Sequence, residues 1–221
     1  MEICMEEYTD RFKERLEENM KKTIFLLLAL LFLGSVMIGC ITTSKYAERD
    51  VSGLDRRLDS FTYMEEGDLI TLCVSTYATR FHEEDKYIPV EIAVANRSLN
   101  NLTLTRESFT LIDEAGNRYS LVPSKELLEN YDKQDFDRRF GHILSVVLGK
   151  FDLYQPVDSN FEPERMSARI VYDKVELPKF SWTADMLYFD KPKTGLKGKK
   201  FELFLTAKEL AEPVFVKFMV E

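Results

Sequence analysis

"KYIPVEIAVANRS", Lys86 to Ser98, decides the fold. Ile88, Val90, Ile92 and Val94 take alternate positions, with Glu91, Ala93 and Ala95 between them. A period of two is the side-chain period of a strand, whereas a helix face repeats at three and four. Upstream, "DLITLCVSTYATR" (68–80) repeats the pattern with Ile70, Leu72 and Val74, and "FHEEDK" (81–86) reads as a solvated hairpin tip between the two strands. Downstream come "NLTLT" (101–105) and "SFTLIDEAGNRYSLV" (108–122). In the latter, Phe109 and Leu111 alternate into a turn at Asp113 to Asn117, and Tyr119 and Leu121 return. The chain closes with "MLYFD" (186–190), with Phe201, Leu203 and Leu205 in "KKFELFLTAKEL", and with Val214, Val216, Phe218 and Val220 after Pro213. Pro213 suits a strand start, where no ladder donor is needed. Short alternating runs between polar turns predict a mainly β domain over 68–221, an antiparallel sandwich of two sheets built from about six to eight strands.

Two segments break the period. From about 124 to 165 the spacing turns helical: Ser124 caps "KELLENY", and Phe136, Phe140, Ile143, Leu144, Val147 and Leu148 share one face of "DFDRRFGHILSVVLGK". Gly141 interrupts this helix at a cost of about 1 kcal/mol relative to Ala, and Gly149 stands where a helix stop belongs. Two readings stay open: a crossover helix covering one open end of the sandwich, or a docking helix or lid over a ligand cleft. Earlier, Ser52 can cap a brief helix carrying Leu54, Leu58 and Phe61 before Glu65-Glu66-Gly67-Asp68 ends it.

Further upstream lies "MKKTIFLLLALLFLGSVMIGC", Met20 to Cys40. Lys21 and Lys22 form a basic start, residues 23–33 an apolar middle, and Val36-Met37-Ile38-Gly39-Cys40 a small-residue exit. This resembles the lipobox signal of bacterial lipoproteins, with Met37 where that motif favours Leu. The resemblance implies cleavage between Gly39 and Cys40, diacylglycerol on the Cys40 sulfur and acylation of the new terminus. The alternatives are an uncleaved transmembrane anchor, since the apolar run of about 19 residues reaches the lower edge of spanning length, and a buried core helix. Either membrane reading leaves the domain outside the cytoplasm, because positive charge stays inside. Residues 1–19 are acidic and unlike a signal start, so Met20 is the expected true start and 1–19 a mis-assigned extension; a short cytosolic helix is the alternative. Residues 40–67 then read as a lipidated tether and the short helix.

The stretch "VEIAVANRSLNNLTLTRESFTLIDEAGNRYSLV" and the closing "GLKGKKFELFL" and "PVFVKFMV" resemble the immunoglobulin-like domains of bacterial lipoproteins. That resemblance implies a scaffold for adhesion, assembly or accessory binding, and it carries no catalytic residues over.

The chain from Cys40 onward is about 180 residues, enough for one domain with a proper core. A net charge of −8 argues against a nucleic-acid partner. Cys4 lies in the extension and Cys40 carries lipid on the lipobox reading, which leaves Cys73 as a buried, unreactive thiol. The two histidines, His82 and His142, fall in different elements. His82-Glu83-Glu84-Asp85 lacks the ligand alternation of a calcium loop. Asp132, Asp135 and Asp137 could pair for glycoside chemistry, but Arg138 and Arg139 beside them read as surface salt bridges. Asn96-Arg97-Ser98 and Asn101-Leu102-Thr103 spell glycosylation acceptors and read as strand-end and turn residues. Phe180, Trp182 and Tyr188 read as core aromatics rather than a binding face. No nucleophile elbow, phosphate loop, metal pattern or cofactor motif is present in the sequence.

Two function classes follow. One is a non-catalytic binding or assembly module, anchored to the membrane through Cys40, with an envelope protein as partner and Phe136, Phe140, Ile143, Leu144, Val147 and Leu148 as the docking face. The other is an envelope hydrolase with a site assembled from distant residues. A cleft with convergent carboxylates would favour the hydrolase, and an exposed apolar patch on a closed sandwich would favour the binder.

Overall fold

The computed structural model describes residues 56–162 and 171–221. The extension at 1–19, the signal with Gly39 and Cys40, and Ser52 and Leu54 of the short helix lie outside the described residues.

The chain is mainly β. β4 (Tyr87–Asn96) is buried along its whole length between antiparallel neighbours β3 (Ile70–Ser75) and β10 (Ser181–Asp190). With β1 (Arg56–Arg57), β2 (Thr62–Glu66) and β8 (Gln155–Pro156) they form a six-stranded sheet in the order β1-β2-β3-β4-β10-β8. A second sheet runs β12-β11-β6-β7, from β12 (Val214–Met219), β11 (Lys200–Leu205), β6 (Phe109–Asp113) and β7 (Arg118–Tyr119). A two-stranded sheet pairs β5 (Asn101–Thr105) with β9 (Lys174–Pro178).

The alternation read from sequence places the core. Ile70, Leu72, Val74, Ile88, Val90, Ile92 and Val94 share one apolar cluster with Phe109, Leu111, Phe201, Leu203, Leu205, Val216 and Phe218 of the second sheet. Each such side chain taken out of water contributes about 1.5–3 kcal/mol. The turn after β6 follows its sequence signature: Asp113 Oδ1 accepts from the amides of Ala115 (3.0 Å) and Asn117 (2.9 Å), and Gly116 sits at φ 82°, where a Cβ would be strained.

Four expectations need correction. The first concerns the start of the sheet. It begins at Arg56 rather than near 68, because β1 and β2 pair where a tether and short helix were expected. Asp59 Oδ1 accepts from the amides of Phe61 (2.7 Å) and Thr62 (2.8 Å), which turns the chain and ends any helix there. Second, the domain is not two wholly antiparallel sheets of six to eight strands: among the described residues twelve strands form three sheets, and β8 runs parallel to β10.

Third, the helical insertion does not close an end of the sandwich. It forms three short helices, α1 (Ser124–Asn130), α2 (Gln134–Arg139) and α3 (Ile143–Val147). α3 packs on the outer face of β3 and β4. Cys73, Ala93 and Ala184 are in register across β3, β4 and β10 there. Small side chains in that row let Ile143, Val147 and Phe151 approach, and the three join Trp182 in a second apolar cluster. Fourth, the "FHEEDK" connection between the antiparallel β3 and β4 is solvated at Phe81, Glu83, Glu84 and Lys86 but not throughout: a 3-10 turn (Thr79–Phe81) leads into His82, which is 1% exposed. Among the described residues no helix is long and apolar enough to cross a membrane.

Candidate functional site

Three features merit comparison: a cleft, a buried polar network and an aromatic face.

The cleft, about 540 Å³, lies between the α2–α3 junction and the β10 edge, and Glu91, Arg138, Leu144, Asp158, Trp182 and Asp185 line it. Burial raises the Glu91 pKa, although the amides of His142 (2.7 Å) and Ile143 (2.9 Å) donate to its Oε2 and oppose that rise. Asp185 accepts from the amides of Phe161 and Met186, both at 2.8 Å. Both carboxylates therefore hold backbone: Glu91 fixes the first turn of α3, and Asp185 fixes the strap beside β10. Gly141 is glycine for space, since a Cβ there would meet Arg138 O and Glu91 Oε1 at 3.0 Å each.

The polar network surrounds His82. Its Nδ1 lies 2.6 Å from Asp85 Oδ2, and its Nε2 lies 2.9 Å from Asp137 Oδ1. The Tyr131 hydroxyl donates to Asp137 Oδ2 at 2.6 Å, and Lys133 pairs with Asp85 at 2.7 Å. Burial alone would lower the His82 pKa, but the two carboxylates outweigh it and raise it. Asp137 is thus fully buried, where a surface salt bridge was expected. Among the described residues no group of three or more His, Cys, Asp or Glu side chains is placed to hold a metal. Cys73 is buried with its thiol pushed up to about 12 by desolvation, so it stays protonated.

The aromatic face draws on three separate stretches: Phe61 before β2, Tyr77 to Phe81 between β3 and β4, and Phe136 to His142 in the insertion. Ring centroids of Phe61 and Tyr77 are 5.1 Å apart, Phe81 and Phe140 5.0 Å, and Phe136 and Phe140 4.5 Å. These separations suit offset and edge contacts. The Arg80 guanidinium lies over three of the rings, 4.6 Å from the Phe61 centroid, 4.4 Å from Tyr77 and 4.6 Å from Phe81. Phe81 and Phe136 are each 44% exposed. His142 packs on Tyr77 at 5.1 Å while its Nε2 meets Asp59 Oδ2 at 2.7 Å.

The six residues expected on one docking face separate. Ile143 and Val147 are buried against the sheet, while Phe136, Leu144 and Leu148 are exposed and Phe140 is half-buried. A break at Gly141 rotates α3 relative to α2, so one continuous stripe does not form. Phe136 and Phe140 instead join rings that the sequence did not single out. The available signal was "STYATRF" (75–81), where the period of two fails and Tyr77 and Phe81 stand four apart around Arg80. Trp182 and Tyr188 are core, as expected, but Phe180 is exposed with φ 58°. Asn96 is buried, and its Nδ2 donates to Leu99 O and Leu177 O.

No family model matches the chain, and no curated protein matches it. Among solved structures it is similar to ycdA of Bacillus subtilis, provisionally described as a lipoprotein, at 15% identity and a TM-score of 0.36. The likeness covers 71% of this chain and 38% of that one. A likeness of this size bears on neither family nor activity.

Proposed function

We propose that the protein is a lipid-anchored, non-catalytic binding module that docks an envelope protein through its aromatic face. The lipobox-like stretch ending in Gly39-Cys40 supports the anchor and the exported location. Two larger sheets facing each other across one core, which the small β5–β9 sheet also joins, support a sandwich scaffold of immunoglobulin-like kind. The observation that carries the binding role is the assembly of Phe61, Tyr77, Phe81, Phe136 and Phe140 from three stretches into one surface whose rim stays exposed. Exposed aromatic surface is enriched where proteins meet partners. The attachment of Glu91 and Asp185 to backbone amides weighs against general acid–base work in the cleft.

Two experiments test this. Cys40→Ser is expected to block processing and leave an unlipidated precursor held by its apolar segment; maturation to the parent mass overturns the anchor. Crosslinking in intact envelopes, compared between the parent and Phe81→Ser/Phe136→Ser, tests the face. The double variant should melt lower than the parent but stay folded at the assay temperature, and lose a crosslinked envelope protein; undiminished crosslinking overturns the docking role.

A further inference from the structure

We propose that Arg80 and its rings receive a peptide carboxylate carried beside an apolar side chain; the inference rests on the docking role above and names the chemistry it recognises. Arg80 is a placed cation with no anion beside it among the described residues. Its guanidinium carbon lies over the rings of Phe61, Tyr77 and Phe81, its Nε is buried without a hydrogen-bond partner, and among the described residues it forms no ion pair. The contrast with its neighbours is informative. Arg57 pairs with Glu221, Arg97 with Glu66 and Arg106 with Glu162.

The geometry narrows the ligand. Tyr77 stands at 71° to Phe61 and 84° to Phe81, so the rings enclose the guanidinium from more than its two faces; its terminal nitrogens donate to no group among the described residues and remain to grip a carboxylate with two parallel hydrogen bonds. This enclosure also removes most of the rotamer freedom that a bare arginine would lose on binding. Phe81 and Phe136, each 44% exposed, supply an apolar rim for the side chain next to that carboxylate. The chain carries −8 overall, which disfavours polyanions such as nucleic acid or an anionic membrane and tolerates a single local charge. A peptide C-terminus with an apolar last residue meets both requirements.

The test is calorimetric titration of the full chain in neutral detergent with N-acetyl-Ala-Ala-Phe, as its free acid and as its C-terminal amide. The acid should bind saturably and the amide at least about tenfold more weakly, because the amide cannot accept the charged bidentate pair. Arg80→Lys should reduce binding of the acid by a similar factor, since an ammonium neither stacks nor forks in the same way. Inorganic phosphate should compete weakly, lacking the apolar arm. Equal affinity for acid and amide, no saturable binding of the acid, or full affinity in Arg80→Lys overturns the proposal. The acid–amide comparison needs no variant, so misfolding of Arg80→Lys does not affect it. Envelope crosslinking that survives Arg80→Lys but is lost in Phe81→Ser/Phe136→Ser leaves the docking role standing and removes only the carboxylate.

Discussion

His82 Nε2 lies 2.9 Å from Asp137 Oδ1, and neither residue is more than 1% exposed. The contact ties the β3–β4 connection to α2 and so fixes the insertion to the sheet. Asp85, Asp137, Tyr131 and Lys133 all face or flank this imidazole. Its carboxylate partners raise its pKa above the ordinary value against the pull of burial. A histidine raised in the folded state stabilises fully below its unfolded pKa of about 6.5, and that contribution fades as pH rises through the folded value. The stability difference between the parent and His82→Gln is therefore expected to be largest near about pH 5.5 and to shrink toward about pH 9. Thermal melts across that range measure it, and a constant difference would remove His82 from the account.

Glu162 predicts a second, separable pH effect. Burial raises its pKa to about 7, despite an Arg106 nitrogen 2.7 Å away. The folded state holds this proton more tightly than the unfolded chain, so stability is greatest below about pH 4.5 and declines until about pH 7. The size is on the order of 3 kcal/mol, taking about 1.4 kcal/mol per pK unit. Glu162→Gln, which mimics the protonated form, should flatten that decline. Denaturant midpoints at about pH 4.5 and pH 7.5 decide it, and an unchanged slope in the variant would refute the assignment.

Gly141→Ala should destabilise by about 1–3 kcal/mol, an overpacking cost. The new methyl would meet the Arg138 carbonyl and the Glu91 carboxylate at 3.0 Å each. Glu91 cannot withdraw freely, because its Oε2 holds the His142 and Ile143 amides. Gly149→Ala serves as the control, since nothing lies within 4 Å of a Cβ there. Equal melting temperatures for the two variants would contradict this account of Gly141.

The strands were legible because burial on one face imposes alternation. Ile88, Val90, Ile92 and Val94, and Phe201, Leu203 and Leu205, went to the core that their spacing implied. The outer face of β4 was harder to read, because Ala93 and Ala95 resemble a solvated face until a helix covers them. His82 was misread for a related reason. A run of charges suggests solvent, yet His82 is compensated by Asp137, 55 positions further along the chain, a pairing that no local pattern records. The cage around Arg80 was illegible on the same grounds, since Phe61 meets Tyr77 only after β2 and β3 pair. Phe61 also fitted a helical spacing that the Asp59 turn overrides.

A single apolar stripe would make Ile143, Leu144, Val147 and Leu148 equivalent, but the packing divides them. Ile143 and Val147 are fully buried against Ala93, Ala95 and Trp182, whereas Leu144 is 51% and Leu148 56% exposed. Ile143→Ala should cost about 2–5 kcal/mol, as deletion of a buried aliphatic does, and Leu144→Ala and Leu148→Ala should stay within about 0.5 kcal/mol. Phe140→Ala falls between, at about 1–3 kcal/mol, because its ring packs on Phe81 and Phe136 but is only partly buried. Denaturant unfolding of the four variants ranks them. If Leu144→Ala unfolded as readily as Ile143→Ala, α3 would have to be turned about its axis relative to β3 and β4, and the division between buried and exposed positions would fail with it.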